Sequence, residues 1–173
     1  KKSLQNYVHD LLMLDEINEA NILYNIRNRF DKSRIYTRLG KILVSVNPYK
    51  LYPLYTPEII EKYKNSRTVG HLPPHVYEVA KAAIEDLERT KHAQSILIAG
   101  ESGSGKTEAC KQCMQYLAEV AGSESDMEKR LLDCNPILES IGNAQTIRND
   151  NSSRFGKWSE IYFNENGKIV SGK

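Results

Sequence analysis

The residues best suited to chemistry lie in one octapeptide, residues 100–107, which reads GESGSGKT. This is the G-x-x-x-x-G-K-T pattern of a phosphate-binding P-loop. Its glycines allow the backbone to form a concave nest of inward-pointing N–H groups, and a helix N-terminus beside the nest adds about half a positive charge. Lys106 would then reach the β- and γ-phosphates, and the Thr107 hydroxyl would ligate Mg²⁺.

The flanking segments are those that a P-loop requires. Residues 95–99 form a short apolar run, which is typical of a strand buried on both faces. Residues 108–120 contain neither Gly nor Pro, which predicts a helix. The alternative is an ordinary strand–turn–helix corner, but a corner has no need of the Lys106-Thr107 pair.

A second polar segment, residues 149–157, reads NDNSSRFGK and offers amide, hydroxyl and guanidinium groups within nine residues. A γ-phosphate with its Mg²⁺ needs such groups, because hydroxyls ligate the metal and a cation neutralises charge. A solvated turn is the alternative, since Asn and Ser are common in turns. The P-loop upstream favours a loop that senses the γ-phosphate.

Composition bounds the class of protein. The chain has 173 residues, is 40% hydrophobic and 27% charged, and has a formal net charge of +2. These values are typical of a globular domain, and no apolar run approaches the roughly 18 residues of a membrane span. The charge balance argues neither for nor against binding to nucleic acid or membranes, and no nucleic-acid partner is expected from the motifs. Cys110 and Cys113 form a C-x-x-C, but their position inside the helix after the P-loop predicts two small buried residues rather than a redox or metal site.

The rest of the chain reads as alternating helices and strands. A helix is predicted from Asp15 or Asn18, with its apolar face formed by Ile22, Leu23, Ile26 and Phe30. Further predictions are a strand at 42–46, helices from 57 and from 73–74 to about 90, a capping box at 125–128 that opens a helix through 131–132, and a helix at 137–142. Residues 143–157 are predicted to be a loop without periodicity. Residues 158–163 predict a strand, and Asn166-Gly167 a hairpin turn. This alternation predicts an α/β fold, a mainly parallel sheet with helices on both faces.

The sequence GESGSGKTEA together with NDNSSRFGK resembles the myosin motor domain. NPYKLYPLY at 47–55 is similar to the purine-binding loop of that family, and further blocks follow in the family order. The resemblance runs from about residue 8 to the end of the chain. Kinesins also combine a P-loop with S-S-R, but there Ser-His tends to follow the Arg, whereas this chain has Phe155-Gly156-Lys157.

The resemblance implies a P-loop NTPase fold and a set of nucleotide contacts. Asn47, Lys50 and Tyr55 would contact or lie near adenine. The phosphates would be bound by the P-loop residues Gly100, Glu101, Ser102, Gly103, Ser104, Gly105, Lys106 and Thr107. Ser102, Ser152 and Asn149 would hydrogen-bond γ-phosphate oxygens or the attacking water. Thr107 and Ser153 would ligate Mg²⁺, and Arg154 would pair with a Glu of the switch II segment.

The resemblance also implies the activity of the parent protein, an actin-based motor that couples the binding and hydrolysis of Mg-ATP to movement along actin filaments in the cytoplasm and cytoskeleton. Calmodulin or calmodulin-like light chains would be further partners. No D-x-x-G-F-E switch II segment occurs in residues 1–173, so we interpret them as the N-terminal portion of a motor domain that hydrolyses little ATP alone. A non-motile nucleotide-binding actin tether and a small P-loop kinase are the alternatives.

Overall fold

The computed structural model describes residues 7–68, 70–122, 130 and 133–173. The chain divides into two compact units, Lys1–Val79 and Ala80–Lys173. Within the described residues, no helix is both long enough and apolar enough to cross a bilayer.

The first unit combines short helices with one hairpin. Its elements are a 3₁₀ turn at Leu11–Met13, helix α1 at Glu19–Asp31, strands β1 at Tyr36–Leu39 and β2 at Ile42–Ser45, helix α2 at Pro57–Lys64 and the start of helix α3 at Val76–Thr90. Helix α1 begins where the sequence predicts, because the Asn18 side chain accepts a hydrogen bond from the Asn21 N–H at 2.9 Å.

The apolar face predicted for α1 is confirmed only in part, because Ile22, Ile26 and Phe30 are half-buried and Leu23 is not. Leu23 is 68% exposed, whereas Asn25 and Arg29 are each 2% exposed. The Arg29 guanidinium donates to the Tyr36 carbonyl at 2.6 Å and to the Thr37 hydroxyl at 2.9 Å. Such buried polar groups are tolerated because they are hydrogen-bonded, and a hydrophobic periodicity does not reveal them.

Strands β1 and β2 form an antiparallel hairpin, in register from Tyr36↔Ser45 to Leu39↔Ile42. The strand predicted at 42–46 is confirmed as Ile42–Ser45. Strand β1 was missed, because it carries Arg38 among its four residues. That side chain forms a largely buried ion pair with Glu78 of α3, at 2.8 Å from Nε to Oε2.

Helix α3 confirms the helix predicted from 73–74 to about 90, and its buried residues form an apolar stripe. Val76, Ala80 and Ile84 are buried at helical spacing. Nothing in this stripe requires a ligand.

The second unit contains helix α4 at Lys106–Ala121, helix α5 at Asn135–Gly142 and two hairpins, β3 (Asn143–Thr146) with β4 (Asn149–Ser153) and β5 (Ile161–Phe163) with β6 (Ile169–Gly172). The predicted helix after the P-loop is therefore confirmed. The turn predicted at Asn166-Gly167 is also confirmed, and Gly167 has the positive φ of 74° that such a turn favours.

The mainly parallel sheet was the wrong prediction for the described residues, whose strands form three separate antiparallel pairs. Residues 95–99 are not a strand, and Leu97 is 90% exposed. A buried parallel strand exists only with neighbours that complete its hydrogen bonds and cover its faces. In the described part of the chain, no segment pairs with residues 95–99.

The prediction of a loop at 143–157 is wrong as well, because β3 and β4 occupy most of this segment. This hairpin is held by cross-strand amide contacts, from Asn143 to Asn151 at 2.8 Å and from Gln145 to Asp150 at 2.9 Å. Because these paired residues are all polar, apolar and polar residues do not alternate along the sequence, and hydrophobic periodicity predicts no strand here. The strand predicted at 158–163 is shorter, at Ile161–Phe163. The capping box at 125–128 and residues 131–132 lie outside the described residues.

Candidate functional site

The P-loop forms a turn that leads directly into α4. Gly103 and Gly105 have positive φ angles of 76° and 91°, and Gly105 is the residue immediately before the first turn of α4. Both conformations are ones that glycine adopts readily. Gly100 is needed for a different reason, since a Cβ there would lie 2.5 Å from the Ser104 hydroxyl oxygen. These glycines fold the backbone closely around the helix N-terminus, where anions are favoured.

The Lys106 ammonium lies over the same loop. It donates to the carbonyl oxygens of Gly100 at 2.9 Å and of Glu101 at 3.0 Å. The next residue, Thr107, is exposed on the first turn of α4. A cation held by neutral carbonyls at a helix N-terminus produces a local positive potential, which suits a phosphate group.

A hydroxyl contact joins the P-loop to the β3–β4 hairpin. The Ser102 and Ser152 hydroxyl oxygens are 2.6 Å apart, and Ser152 is 2% exposed. The Ser102 hydroxyl also lies 3.0 Å from the Thr146 hydroxyl. The structure thus brings together two serines that are fifty positions apart in sequence and that both belong to the predicted site.

The remaining hairpin residues have different surroundings. Asn149 is half-buried and its N–H donates to the Thr146 hydroxyl at 3.1 Å. Ser153 is half-buried beside Ser152, but no hydrogen bond in the described part of the chain joins it to Thr107. The Arg154 side chain is exposed, and no ion pair links it to another described residue. The structure therefore places the two serines together without joining the two predicted metal ligands.

Sequence reasoning missed two residues here, Thr146 and Arg148. Thr146 bonds both the P-loop and the hairpin turn. Arg148 forms an ion pair with Glu101, in which both side chains are mostly exposed. The spacing Thr146-x-x-Asn149 across a two-residue turn was a usable signal, because Thr and Asn side chains often bond to backbone groups in turns.

The predicted adenine loop lies in the first unit and is held by local contacts. The Asn47 side chain accepts from the Tyr49 N–H at 2.9 Å, which is an Asx turn. The Lys50 ammonium lies 5.0 Å from the centre of the Tyr52 ring. The Tyr55 hydroxyl is 2.7 Å from the Tyr36 hydroxyl. Tyr55 therefore joins the end of the loop to side chains outside it, whereas Tyr49 is 73% exposed.

One histidine, His75, anchors the end of that loop and was not predicted. Its Nδ1 accepts from the Tyr77 N–H at 3.1 Å, so Nε2 carries the proton and donates to the Leu54 carbonyl at 3.0 Å. The ring is packed among tyrosines, with the Tyr77 ring centre 4.4 Å away. Burial lowers the pKa of His75 to about 4, despite the opposing bond to Leu54.

The predicted burial of the two cysteines is confirmed for Cys113, whereas Cys110 is half-buried. Cys110 and Cys113 both lie within α4, and Cys113 is 5% exposed. Burial raises the pKa of the Cys113 thiol to about 12, with Cys110 as a second cause. Among the described residues, no cluster of three or more His, Cys, Asp or Glu side chains is arranged to hold a metal ion.

A cleft of about 650 Å³ lies along α2, and none of the predicted nucleotide residues line it.

Mg²⁺ could still be accommodated by oxygen donors of another kind. It prefers oxygen ligands, keeps several waters and is commonly bound through substrate phosphates. The hydroxyls of Thr107 and Ser153 fit this chemistry, because they would supplement phosphate oxygens and water rather than form a complete protein cage.

Comparison with known proteins identifies the family. The model described as myosin head (motor domain) matches residues 8–173. The high molecular weight form of myosin-1 from Acanthamoeba castellanii is 52% identical over 169 residues, which are 98% of this chain and 11% of that protein. Myosin-VIIa of Drosophila melanogaster is 48% identical over 166 residues, 96% of this chain and 8% of its own length. Unconventional myosin-VI of Sus scrofa is 46% identical over 166 residues, which are 95% of this chain and 13% of that protein.

The chain thus spans 8% to 13% of the length of these relatives. The matched region includes the P-loop, the β3–β4 hairpin and the 47–55 loop, the three segments on which the resemblance was based. With a family model that covers almost all of the chain and relatives near 50% identity, this chain belongs to the myosin head (motor domain) family.

Proposed function

We propose that this chain forms the ATP-binding part of an actin-based motor, and that the parent protein couples hydrolysis of Mg-ATP to movement along actin filaments. The observation that supports this best is the 2.6 Å contact between Ser102 and Ser152. It joins the P-loop to the hairpin that carries the second set of phosphate-binding groups. A phosphate chain bound to the P-loop would therefore have its terminal group beside both segments.

Each predicted residue has a role in this proposal. Lys106 and the P-loop N–H groups bind the β- and γ-phosphates, and Ser102, Ser152 and Asn149 contact γ-phosphate oxygens or the attacking water. Thr107 and Ser153 ligate Mg²⁺, which neutralises charge on the β- and γ-phosphate oxygens when bound. Asn47, Lys50 and Tyr55 hold adenine. Arg154, whose side chain is exposed, pairs with a Glu of a switch II segment elsewhere in the parent protein.

Hydrolysis would proceed by in-line attack of water on the γ-phosphate. The protein contributes positioning and electrostatic stabilisation, because little covalent chemistry is left for side chains to perform. Lys106 and the P-loop N–H groups stabilise charge on the transferring group. Departure of phosphate would free the β3–β4 hairpin from its contacts with that phosphate, and that change would be amplified into movement by other parts of the motor.

Family membership is the basis on which we propose the activity of the whole protein. On the same basis we propose actin filaments and calmodulin-like light chains as its partners, and the cytoplasm and cytoskeleton as its location. We expect residues 1–173 alone to bind nucleotide weakly and to hydrolyse little. If the full-length protein binds ATP and actin without turnover, the alternative of a non-motile tether replaces the motor.

The test is cosedimentation of the full-length protein with actin filaments, with and without Mg-ATP. We expect ATP to release the wild-type protein and to leave the Lys106→Ala variant on the filaments, because that variant lacks the ammonium over the loop. Lys111→Ala is the matched control, since Lys111 is exposed on the same helix. Normal ATP-induced release of Lys106→Ala would contradict the assigned role.

A further inference from the structure

The Thr146 side chain, for which the sequence predicts no role, makes three polar contacts. Its hydroxyl donates to the Asn149 carbonyl at 3.0 Å and accepts from the Asn149 N–H at 3.1 Å. It also lies 3.0 Å from the Ser102 hydroxyl. One side chain therefore closes the turn between β3 and β4 and contacts the P-loop at the same time.

The directions of these hydrogen bonds follow from proton counting. A hydroxyl has one proton and two lone pairs. The Thr146 proton goes to the Asn149 carbonyl, which can only accept, so Ser102 must donate to Thr146. Ser102 then has no proton left for Ser152, and Ser152 must donate to Ser102. The chain of donation runs from Ser152 through Ser102 and Thr146 to the Asn149 carbonyl.

A neighbouring ion pair joins the same two segments. Arg148, in the turn, pairs with Glu101, which precedes Ser102. Both side chains are mostly exposed, so this pair contributes little stability by itself. It shows, however, that the turn and the P-loop touch at two adjacent positions.

We propose that Thr146 is a positioning residue, which holds the hairpin turn and Ser102 in one arrangement and sets the direction of the hydroxyl chain. The proposal rests on the proposed nucleotide function. It has a chemical consequence: a phosphate oxygen only accepts hydrogen bonds, so Ser102 and Ser152 can donate to it only after their present bonds are redirected. Thr146 keeps its two bonds to Asn149 during that change and remains the fixed point of the turn.

The test compares variants of the full-length protein by steady-state hydrolysis of Mg-ATP. Thr146→Val removes the hydroxyl at constant shape, and Thr146→Ser keeps it. Thr90→Val is the matched control, because the Thr90 hydroxyl also donates to a carbonyl (Asp86, 2.6 Å) and accepts from an N–H (His92, 3.2 Å). In the described part of the chain, no hydrogen bond joins Thr90 to the P-loop.

We expect Thr146→Val to lower kcat about tenfold and to change KM less than about twofold. A tenfold loss of kcat is the size expected when one hydrogen bond to a positioned polar group is lost. Thr146→Ser should restore kcat to within about threefold, and Thr90→Val should match the wild type. Because Thr146 acts through Ser102, adding Thr146→Val to Ser102→Ala should cause little further loss. A wild-type kcat in Thr146→Val, equal loss in Thr146→Ser, or full additivity with Ser102→Ala would overturn the proposal.

A second measurement does not depend on turnover. Amide hydrogen exchange in Thr146→Val should become faster both in residues 146–153 and in residues 100–104, whereas Thr90→Val should affect neither. Faster exchange confined to the hairpin would show that Thr146 acts only locally, and would refute the coupling. If the wild type hydrolyses no ATP, the proposed function fails, and this exchange pattern still decides the role of Thr146.

Discussion

The acid sensitivity of the first unit should depend on His75. Its ring accepts from the Tyr77 N–H through Nδ1 and donates to the Leu54 carbonyl through Nε2. Protonation would remove the acceptor and place a charge in a site that is 4% exposed. The folded unit therefore requires the neutral imidazole.

The size of the effect follows from proton linkage. The pKa of His75 is about 4 in the folded chain, against an ordinary value of 6.5. Below pH 6.5 His75 is protonated in the opened state but not in the folded state. The contribution of neutral His75 to the stability of the folded unit is therefore complete above pH 6.5 and is lost as the pH falls through 4. Between pH 7 and pH 5 the loss is about 2 kcal/mol, which corresponds to a roughly 20-fold rise in the opening equilibrium. The rings packed on His75 are tyrosines, which do not titrate in this range.

Two measurements on the full-length protein test this reasoning. Histidine C2-hydrogen exchange, followed by mass spectrometry, should give His75 a midpoint near pH 4. The protection factor of the Tyr77 amide, corrected for intrinsic exchange, should fall about 20-fold from pH 7 to pH 5. In His75→Gln, which keeps a donor for the Leu54 carbonyl, most of this pH dependence should disappear. The remainder comes from His9, whose pKa is also lowered by burial and by Arg29. A His75 midpoint near 6.5, or the same pH dependence in His75→Gln, would refute the argument.

Two further predictions follow from the packing. Glu78→Gln should destabilise the first unit by about 3 kcal/mol, because it leaves the largely buried Arg38 guanidinium without its counter-charge. Local opening measured by amide exchange checks this, and Asp86→Asn, which breaks a pair with the mostly exposed Arg89, should have little effect. Gly100→Ala should weaken Mg-ATP binding, because the new Cβ meets the Ser104 hydroxyl at 2.5 Å. Adding Ser104→Ala should recover part of the affinity in a nucleotide titration, and equal binding by Gly100→Ala and the wild type would contradict the close approach.

Local patterns predicted the features that depend on near neighbours in sequence. The helix after the P-loop, the start of α1 at Asn18 and the turn at Asn166-Gly167 are confirmed. Helix hydrogen bonds and tight turns join residues a few positions apart, so a short window of sequence contains their cause. The P-loop belongs to the same class, because its glycines and the following helix act within one continuous segment.

Predictions that depend on distant partners failed or were missing. Residues 95–99 have the composition of a buried strand, but a strand forms only where another segment supplies its hydrogen bonds. The sequence predicts a loop where the β3–β4 hairpin forms, because the amide pairs of this hairpin leave no apolar periodicity. The polar core around Arg29 was missed for the same reason, since burial of a charged side chain depends on the carbonyls that meet it.

The sequence by itself determined the family and the phosphate-binding loop, because both are encoded in short contiguous motifs. Only the tertiary structure decided that Ser102 lies against Ser152, that Thr146 bonds to both segments and that His75 holds Leu54. These contacts join residues between 21 and 50 positions apart. Hydroxyl and imidazole groups have no preferred partner until folding sets the distances between them, so residue type alone does not reveal which polar groups will share a proton.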